Sequence, residues 1–355
     1  MIGNLLFRAF RKVETNVHEL NYLFWECTTR CNLHCRHCGS DCKEASGESD
    51  MPIADFIAAL KTIPRKAIPK NFTVVLTGGE PLMRRDIAEA GRQIRACGCH
   101  WGMVTNGFFY TAERQEELLR AGMGALTISL DGLEPSHDWM RGRAGSYSRA
   151  VEAIRLAAAQ PRLYFDVVTC VNQRNINELD DIYNVLCDAG VPQWRIFTII
   201  PIGRAKNDPE LHLSDSQFVQ LMEFIKQHRQ QPGRTSVTFS CEGYLGRYER
   251  VVRSAPYFCH AGINIASVLI DGRICACPNI DRDRFSQGNI YTDNLYQVWN
   301  ERFEPFRNRN WARTGICKDC KAFNLCLGNG MHNWHGTGNE VINCHYRKIE
   351  NAGNR

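Results

Sequence analysis

Between residues 20 and 230, apolar runs rich in β-branched and aromatic residues return six times, at 22–26, 72–77, 101–105, 125–130, 163–169 and 193–200, and helical spacing fills the intervals. Strands laid parallel in series need crossover helices, so six strand-helix units predict an α/β fold with a parallel sheet and helices outside it. Helical spacing is plainest at Leu179, Ile182, Tyr183 and Leu186, and again at Phe218, Leu221, Met222 and Ile225, where Ser214 and Gln217 form a capping-box signature. Sheets of this kind carry their binding loops at the carboxyl ends of the strands. Here those ends hold, in order, Cys31 to Cys38, Thr77-Gly78-Gly79-Glu80, Thr105-Asn106-Gly107 and Ser129-Leu130-Asp131-Gly132.

The rhythm breaks at QQPGRTS, which suggests an extension over 1–20, a core over 21–232 and a smaller unit over 233–355. That last unit is loop-rich and holds Cys241, Cys259, Cys275, Cys277, Cys317, Cys320, Cys326 and Cys344. Segment 266–277 reads as a hairpin turning at Asp271-Gly272 in a tight primed turn, and strand alternation would put Cys275 and Cys277 on one face.

A chain of 355 residues buries a sufficient core without staples, so its 17 cysteines need a chemical explanation. The N-terminus has basic residues inside its apolar part and no small-residue cleavage site, and no apolar run approaches the ~20 residues of a membrane span. A cytoplasmic protein is expected, in which clustered thiols are metal ligands or catalytic groups more often than disulfides. The net charge of +5 is spread without long Lys/Arg runs and gives no argument for nucleic acid. Residues 2–13 read as a packed or frayed terminal helix, with a basic amphipathic helix on a membrane surface as the alternative.

The stretch CNLHCRHC spaces Cys31, Cys35 and Cys38 on a helix face, but the intervening Asn32, His34, Arg36 and His37 are poor core material. A cubane cluster and a structural zinc site each want four ligands, so three thiols leave a distant fourth ligand, a zinc site completed by histidine, or an open position. Cys31-x3-Cys35-x2-Cys38 resembles the signature of the radical S-adenosylmethionine (SAM) enzymes. In that family three cysteines hold a [4Fe-4S] cluster whose fourth iron chelates the amine and carboxylate of SAM. The resemblance implies reductive cleavage of SAM to methionine and a 5′-deoxyadenosyl radical, with the protein positioning and shielding the cofactor.

It further implies that His37, where the family usually has another aromatic, stacks near the adenine, and that Gly78, Gly79 and Glu80 of a GGEP motif meet the methionyl ammonium. Thr105, Asn106, Ser129 and Asp131 would lie along the ribose and carboxylate, and Arg141, following His137 and Asp138, could pair with the carboxylate. Turn formation and helix capping are the plain alternative for these residues. Pro201-Ile202-Gly203 is a weaker candidate for adenine contact. The implied fold is a partial (βα)6 TIM-like barrel.

In the C-terminal unit, Cys317-x2-Cys320-x5-Cys326 with Cys344 downstream could be a small zinc knot. The wider arrangement, Cys259-x12-Gly272-x4-Cys277 followed by that group, resembles the SPASM extension of radical SAM enzymes, which houses auxiliary [4Fe-4S] clusters. The pattern expects a further cysteine at the position held by Gly330. Cys317, Cys320, Cys326 and Cys344 therefore look like a complete ligand set, while the site of Cys259 and Cys277 lacks one. Cys241 could be its upstream partner, Cys275 or His332 could complete it, or it could stay open. Two auxiliary clusters are expected, one cluster with buried thiols being the alternative. Cys97, Cys99, Cys170 and Cys187 read as core residues, and Cys27 and Cys42 have no assigned role.

By the same resemblance the substrate is a peptide or protein side chain, and the electron comes from a donor such as flavodoxin or ferredoxin. The sulfatase-maturing branch carries an acidic base directly after the cysteine matching Cys277. Pro278 stands there, which argues against that reaction. A small-molecule oxidase or decarboxylase, as in tetrapyrrole synthesis, and a non-catalytic iron-sulfur electron carrier are the competing readings.

Overall fold

The computed structural model describes residues 2–353 apart from 46, 232, 241 and 337. All six expected strands form: β1 (Tyr22–Thr28), β2 (Thr73–Gly78), β3 (His100–Thr105), β4 (Ala125–Ser129), β5 (Tyr164–Val171) and β6 (Gln193–Thr198). A seventh, β7 (Ser236–Phe239), pairs in parallel with β6, so the sheet continues past the break in rhythm near residue 232. On the opposite flank β8 (Ile265–Val268) pairs in parallel with β1, and β9 (Arg273–Cys275) and β10 (Gly288–Asn289) follow antiparallel. The sheet order is β10-β9-β8-β1-β2-β3-β4-β5-β6-β7. Its two ends stay apart, which makes an incomplete barrel with two more strands in the parallel run, β7 and β8, than six βα units provide.

Eight longer helices precede the C-terminal segment: α1 (Ile2–Val17), α2 (Ile53–Lys61), α3 (Ile87–Ala96), α4 (Ala112–Arg120), α5 (Glu134–Arg141), α6 (Ser146–Ala158), α7 (Leu179–Asp188) and α8 (Asp215–Gln230). Alternate strand residues build the core beneath them; Trp25, Val74, Leu76, Trp101, Leu126, Val167, Trp194 and Ile196 are all buried. Each such side chain contributes on the order of 2 kcal/mol by leaving water. Trp25 stacks on Phe56 of α2 with ring centroids 4.2 Å apart. Helix α3 approaches the sheet so closely that a Cβ at Gly91 would collide with the Trp101 ring. The capping box at Ser214 and Gln217 forms as its sequence implies and opens α8.

Helix α1 is packed by its polar underside. Arg11 donates to the carbonyls of Asn324 and Leu325 at 2.8 and 2.7 Å, and Phe7 meets Phe258. Phe10 also meets the Phe258 ring edge-on while staying half exposed, and Leu6, Val13 and Val17 remain exposed. Among the described residues no helix is long and apolar enough to cross a membrane.

The hairpin at 266–277 is present, but its turn differs from expectation. The Gly272 N–H donates to the Leu269 carbonyl and the Leu269 N–H to the Arg273 carbonyl, both at 2.9 Å, so three residues make the loop. Gly272, at φ +83°, takes the left-handed position that three-residue loops place last. Because β9 ends at Cys275, alternation no longer ties Cys277 to it: Cys275 is buried in the core, while Cys277 faces a cavity.

Candidate functional site

A cavity of about 1070 Å³ opens at the carboxyl edge of the sheet. Residues from the ends of β1 to β6 line it, and Glu242, Cys277 and His332 close it from the C-terminal half. Cys31, Cys35 and Cys38 all face this space. Their loop has almost no regular structure, so other elements hold it. The Arg204 guanidinium donates to the Cys35 carbonyl at 2.7 Å and the Arg204 N–H to the Cys38 carbonyl at 3.0 Å. Arg36 pairs with Asp208 at 2.7 Å, and the Arg36 N–H donates to the Met140 carbonyl at 2.9 Å.

Gly78, Gly79 and Glu80 also line the cavity. The two glycines answer a demand from within the fold. A Cβ on either would run into the chain leaving β1, at Thr28 for Gly78 and at Arg30 for Gly79, and Gly78 holds φ +124°. The buried Glu80 carboxylate accepts from the Thr105 hydroxyl (2.7 Å) and from the N–H groups of Leu82 (3.1 Å) and Asn106 (2.8 Å). Burial pushes its carboxyl above the usual range, and these donors restrain the shift. The Asn106 amide reaches the Asn32 side chain at 2.9 Å, which joins the β3 loop to the cysteine loop.

Ser129 and Arg141 line the cavity, whereas Asp131 lies one layer behind. Asp131 pairs with Arg141 at 2.6 Å and accepts from the Cys170 N–H at 2.8 Å. Burial alone would raise its carboxyl; Arg141, with His37 and His137, holds it below the ordinary range. Arg141 also approaches the Cys35 sulfur at 3.7 Å, and among the described residues its Nε has no hydrogen-bond partner. The His37 ring faces the cavity, and burial lowers it to about 4, so it is neutral near neutral pH. Ile202 lines the cavity, and Gly203 brings its loop against the Cys38–Gly39 backbone.

Sequence reasoning missed several contributors. Cys170, read as a core residue, ends β5 facing the cavity. Cys42 lines it too and hydrogen-bonds the Cys38 sulfur, which holds the Cys38 thiol below the usual thiol range. Glu26, buried at the end of β1, accepts from the Ile270 N–H at 3.0 Å and from Arg282 at 3.1 Å, joining the first strand to the C-terminal hairpin. A lone acid closing the apolar run YLFWE was the available signal. Glu242 follows β7, a strand the pattern did not reveal. Its carboxylate accepts from the Thr198 N–H (2.9 Å) and hydroxyl (2.6 Å) and lies 3.2 Å from His345.

A second cavity, of about 440 Å³, is ringed by Cys317, Cys320, Cys326 and Cys344. The chain turns out of Cys326 through three successive left-handed residues, Leu327, Gly328 and Asn329. This places the Asn329 N–H 3.1 Å from the Cys326 sulfur as a donor. Burial pushes Cys317 up to about 11 and Cys326 up to about 12, so thiolates here need a neighbouring cation. The four thiols border a volume, as ligands to the corners of a cubane do, and the residues present fit such a cluster. Cys259 lies close enough to Cys277 to influence its ionisation. Cys241 falls outside the described residues.

Residues 25–186 match the family described as Radical SAM superfamily, and residues 259–321 match SPASM, described as an iron-sulfur cluster-binding domain. The chain is 31% identical over 318 residues to mycofactocin maturase MftC of Mycobacterium ulcerans, covering 87% of this chain and 82% of that protein. It is 23% identical over 339 residues to an AdoMet-dependent heme synthase of Oleidesulfovibrio alaskensis, with 90% and 84% covered. Among solved structures, anSMEcpe with bound AdoMet and Cp18Cys peptide superposes with a TM-score of 0.72 at 18% identity over 94% of this chain and 96% of that one.

Proposed function

The chain belongs to the radical SAM superfamily and carries a SPASM domain, and on that premise we propose that it abstracts hydrogen from a peptide or protein side chain in the 1070 Å³ cavity. The enzyme runs on a [4Fe-4S] cluster, SAM and auxiliary iron-sulfur clusters. When bound, cluster and SAM together supply a 5′-deoxyadenosyl radical.

Cys31, Cys35 and Cys38 are the thiolates for that cluster. With SAM bound, the Gly79–Glu80 edge and the Thr105–Asn106 turn would orient its amino acid end, His37 and Ile202 would flank the adenine, and Ser129 and Arg141 would border the ribose and carboxylate. Asp131 acts through Arg141 by fixing its position. Cys317, Cys320, Cys326 and Cys344 hold one auxiliary cluster within a C-terminal unit that we place at 233–355. Electrons arrive from a small carrier such as flavodoxin or ferredoxin.

One observation supports this reading above others: the three-cysteine loop shares its cavity with Cys277, Glu242 and His332 of the C-terminal half. A substrate held there touches both the radical source and the SPASM region. The peptide reading draws on the resemblance to the mycofactocin maturase.

A tetrapyrrole substrate is the second reading, favoured by the heme synthase relatives. The cavity weighs against it. Among the described residues, seven carboxylates and four cationic side chains line the space. That surface repels a polycarboxylate and suits a neutral or cationic peptide.

Anaerobic reconstitution with dithionite and SAM tests the radical step; 5′-deoxyadenosine is expected, and none from a loaded cluster would leave an electron carrier. Mass spectrometry after turnover with candidate peptides and, separately, with a coproporphyrin decides between substrates.

A further inference from the structure

The SPASM pattern assigns a cysteine to position 330, and this chain has glycine. A side chain built there would find its place taken: an ideal Cβ on Gly330 would stand 2.5 Å from Cε1 and 2.9 Å from Nε2 of His332, and 2.7 Å from the Glu242 backbone carbonyl oxygen. The imidazole thus fills the space into which a residue-330 side chain would extend. Nε2 of His332 is shielded from solvent and, among the described residues, has no well-formed hydrogen bond, although the Glu242 backbone carbonyl lies near the ring. An orphaned buried nitrogen is costly, and most such atoms in proteins are satisfied. The nearby Glu242 carboxylate does not serve it, being engaged by Thr198 and His345. His332 lines the same cavity as Cys277.

We propose that His332 is a ligand to the auxiliary iron-sulfur cluster at Cys259 and Cys277, through Nε2, in the coordination position that the pattern gives to a cysteine at 330. The inference rests on the reading that this region holds a cluster. Neutral imidazole is an established ligand to iron in such clusters, and replacing thiolate by histidine raises the reduction potential. A short helical turn over Met331–Asn333 fixes the ring, with the Asn333 N–H donating to the Gly330 carbonyl at 3.0 Å. Glycine at 330 and histidine at 332 then form one substitution: the first clears the space, the second supplies the donor.

The test uses the full chain, reconstituted anaerobically with iron and sulfide. In a form carrying Ala at Cys31, Cys35 and Cys38, reduced and with isotopically labelled histidine, pulsed EPR should detect histidine nitrogen coupled to a cluster. His332→Ala should abolish that coupling and, in the otherwise native chain, lower iron and sulfide by about a third. His332→Cys, which puts a thiolate at the same position without a side chain at 330, should regain the iron without the coupling and show a lower potential at that cluster. This variant also guards against a fold defect in the single substitution. Full iron, unchanged potentials and no histidine coupling in the comparison of native chain with His332→Ala would overturn the assignment. Iron found only at the Cys31 and Cys317 groups of the native chain would instead remove the cluster beneath it, leaving the radical chemistry untouched.

Discussion

Gly79 lies so close to Arg30 that any side chain at 79 would collide with the Arg30 carbonyl, while the Gly79 N–H donates to the Thr28 carbonyl at 2.7 Å. The loop after β2 is thereby locked to the chain that enters the Cys31 loop. Gly79→Ala should cost about 1–3 kcal/mol of stability and displace the first cysteine. A fall in the urea midpoint together with lower 5′-deoxyadenosine yield is the expected outcome; native values for both would separate the GGEP loop from the site.

Alanine at Cys31, Cys35 or Cys38 should abolish SAM cleavage and leave the C-terminal iron in place. The four thiols around the second cavity belong to other elements, so their cluster does not depend on the first loop. Iron analysis with 5′-deoxyadenosine assay checks this, and undiminished turnover in all three variants would contradict the assignment.

Asp138 stabilises the start of α6. Its carboxylate accepts from the N–H groups of Gly145 and Tyr147 and from the Ser146 hydroxyl, at 2.6 to 2.8 Å. Burial alone would raise its carboxyl, but these donors hold it below the ordinary range. The contribution is therefore full above the unfolded carboxylate range and is lost as pH falls through the lowered value. Asp138→Ala should cost about 1–2 kcal/mol at neutral pH. In urea titrations the gap to the native chain should close on acidification, and a gap independent of pH would remove the charge from the explanation.

Gly328 sits at φ +77°, and a Cβ there would come 2.6 Å from that of Ala312. Gly328→Ala should open the turn that aims the Asn329 N–H at the Cys326 sulfur. Iron at the four-thiol site is expected to become more easily removed by chelator, while Cys31-dependent SAM cleavage persists. Equal chelator resistance would mean that the turn does not shape the ligand set.

The sequence by itself determined the six strands, the capping box at Ser214, the cysteine loop following β1 and the grouping of Cys317, Cys320, Cys326 and Cys344. These are short-range properties: side-chain periodicity and ligand spacing act within a few residues, and the carboxyl-edge rule then brings the strand-end loops together. Only the tertiary structure decided that β7 and β8 extend the sheet: β7 has four residues, too few for its periodicity to be seen, and β8, legible as a hairpin strand, finds its parallel partner β1 more than 200 residues away. The same holds for Asp131 standing behind Arg141 and for Cys170 and Glu242 facing the cavity. Each depends on which chain segments meet, and pairings across tens to hundreds of residues are settled by packing that no local pattern encodes.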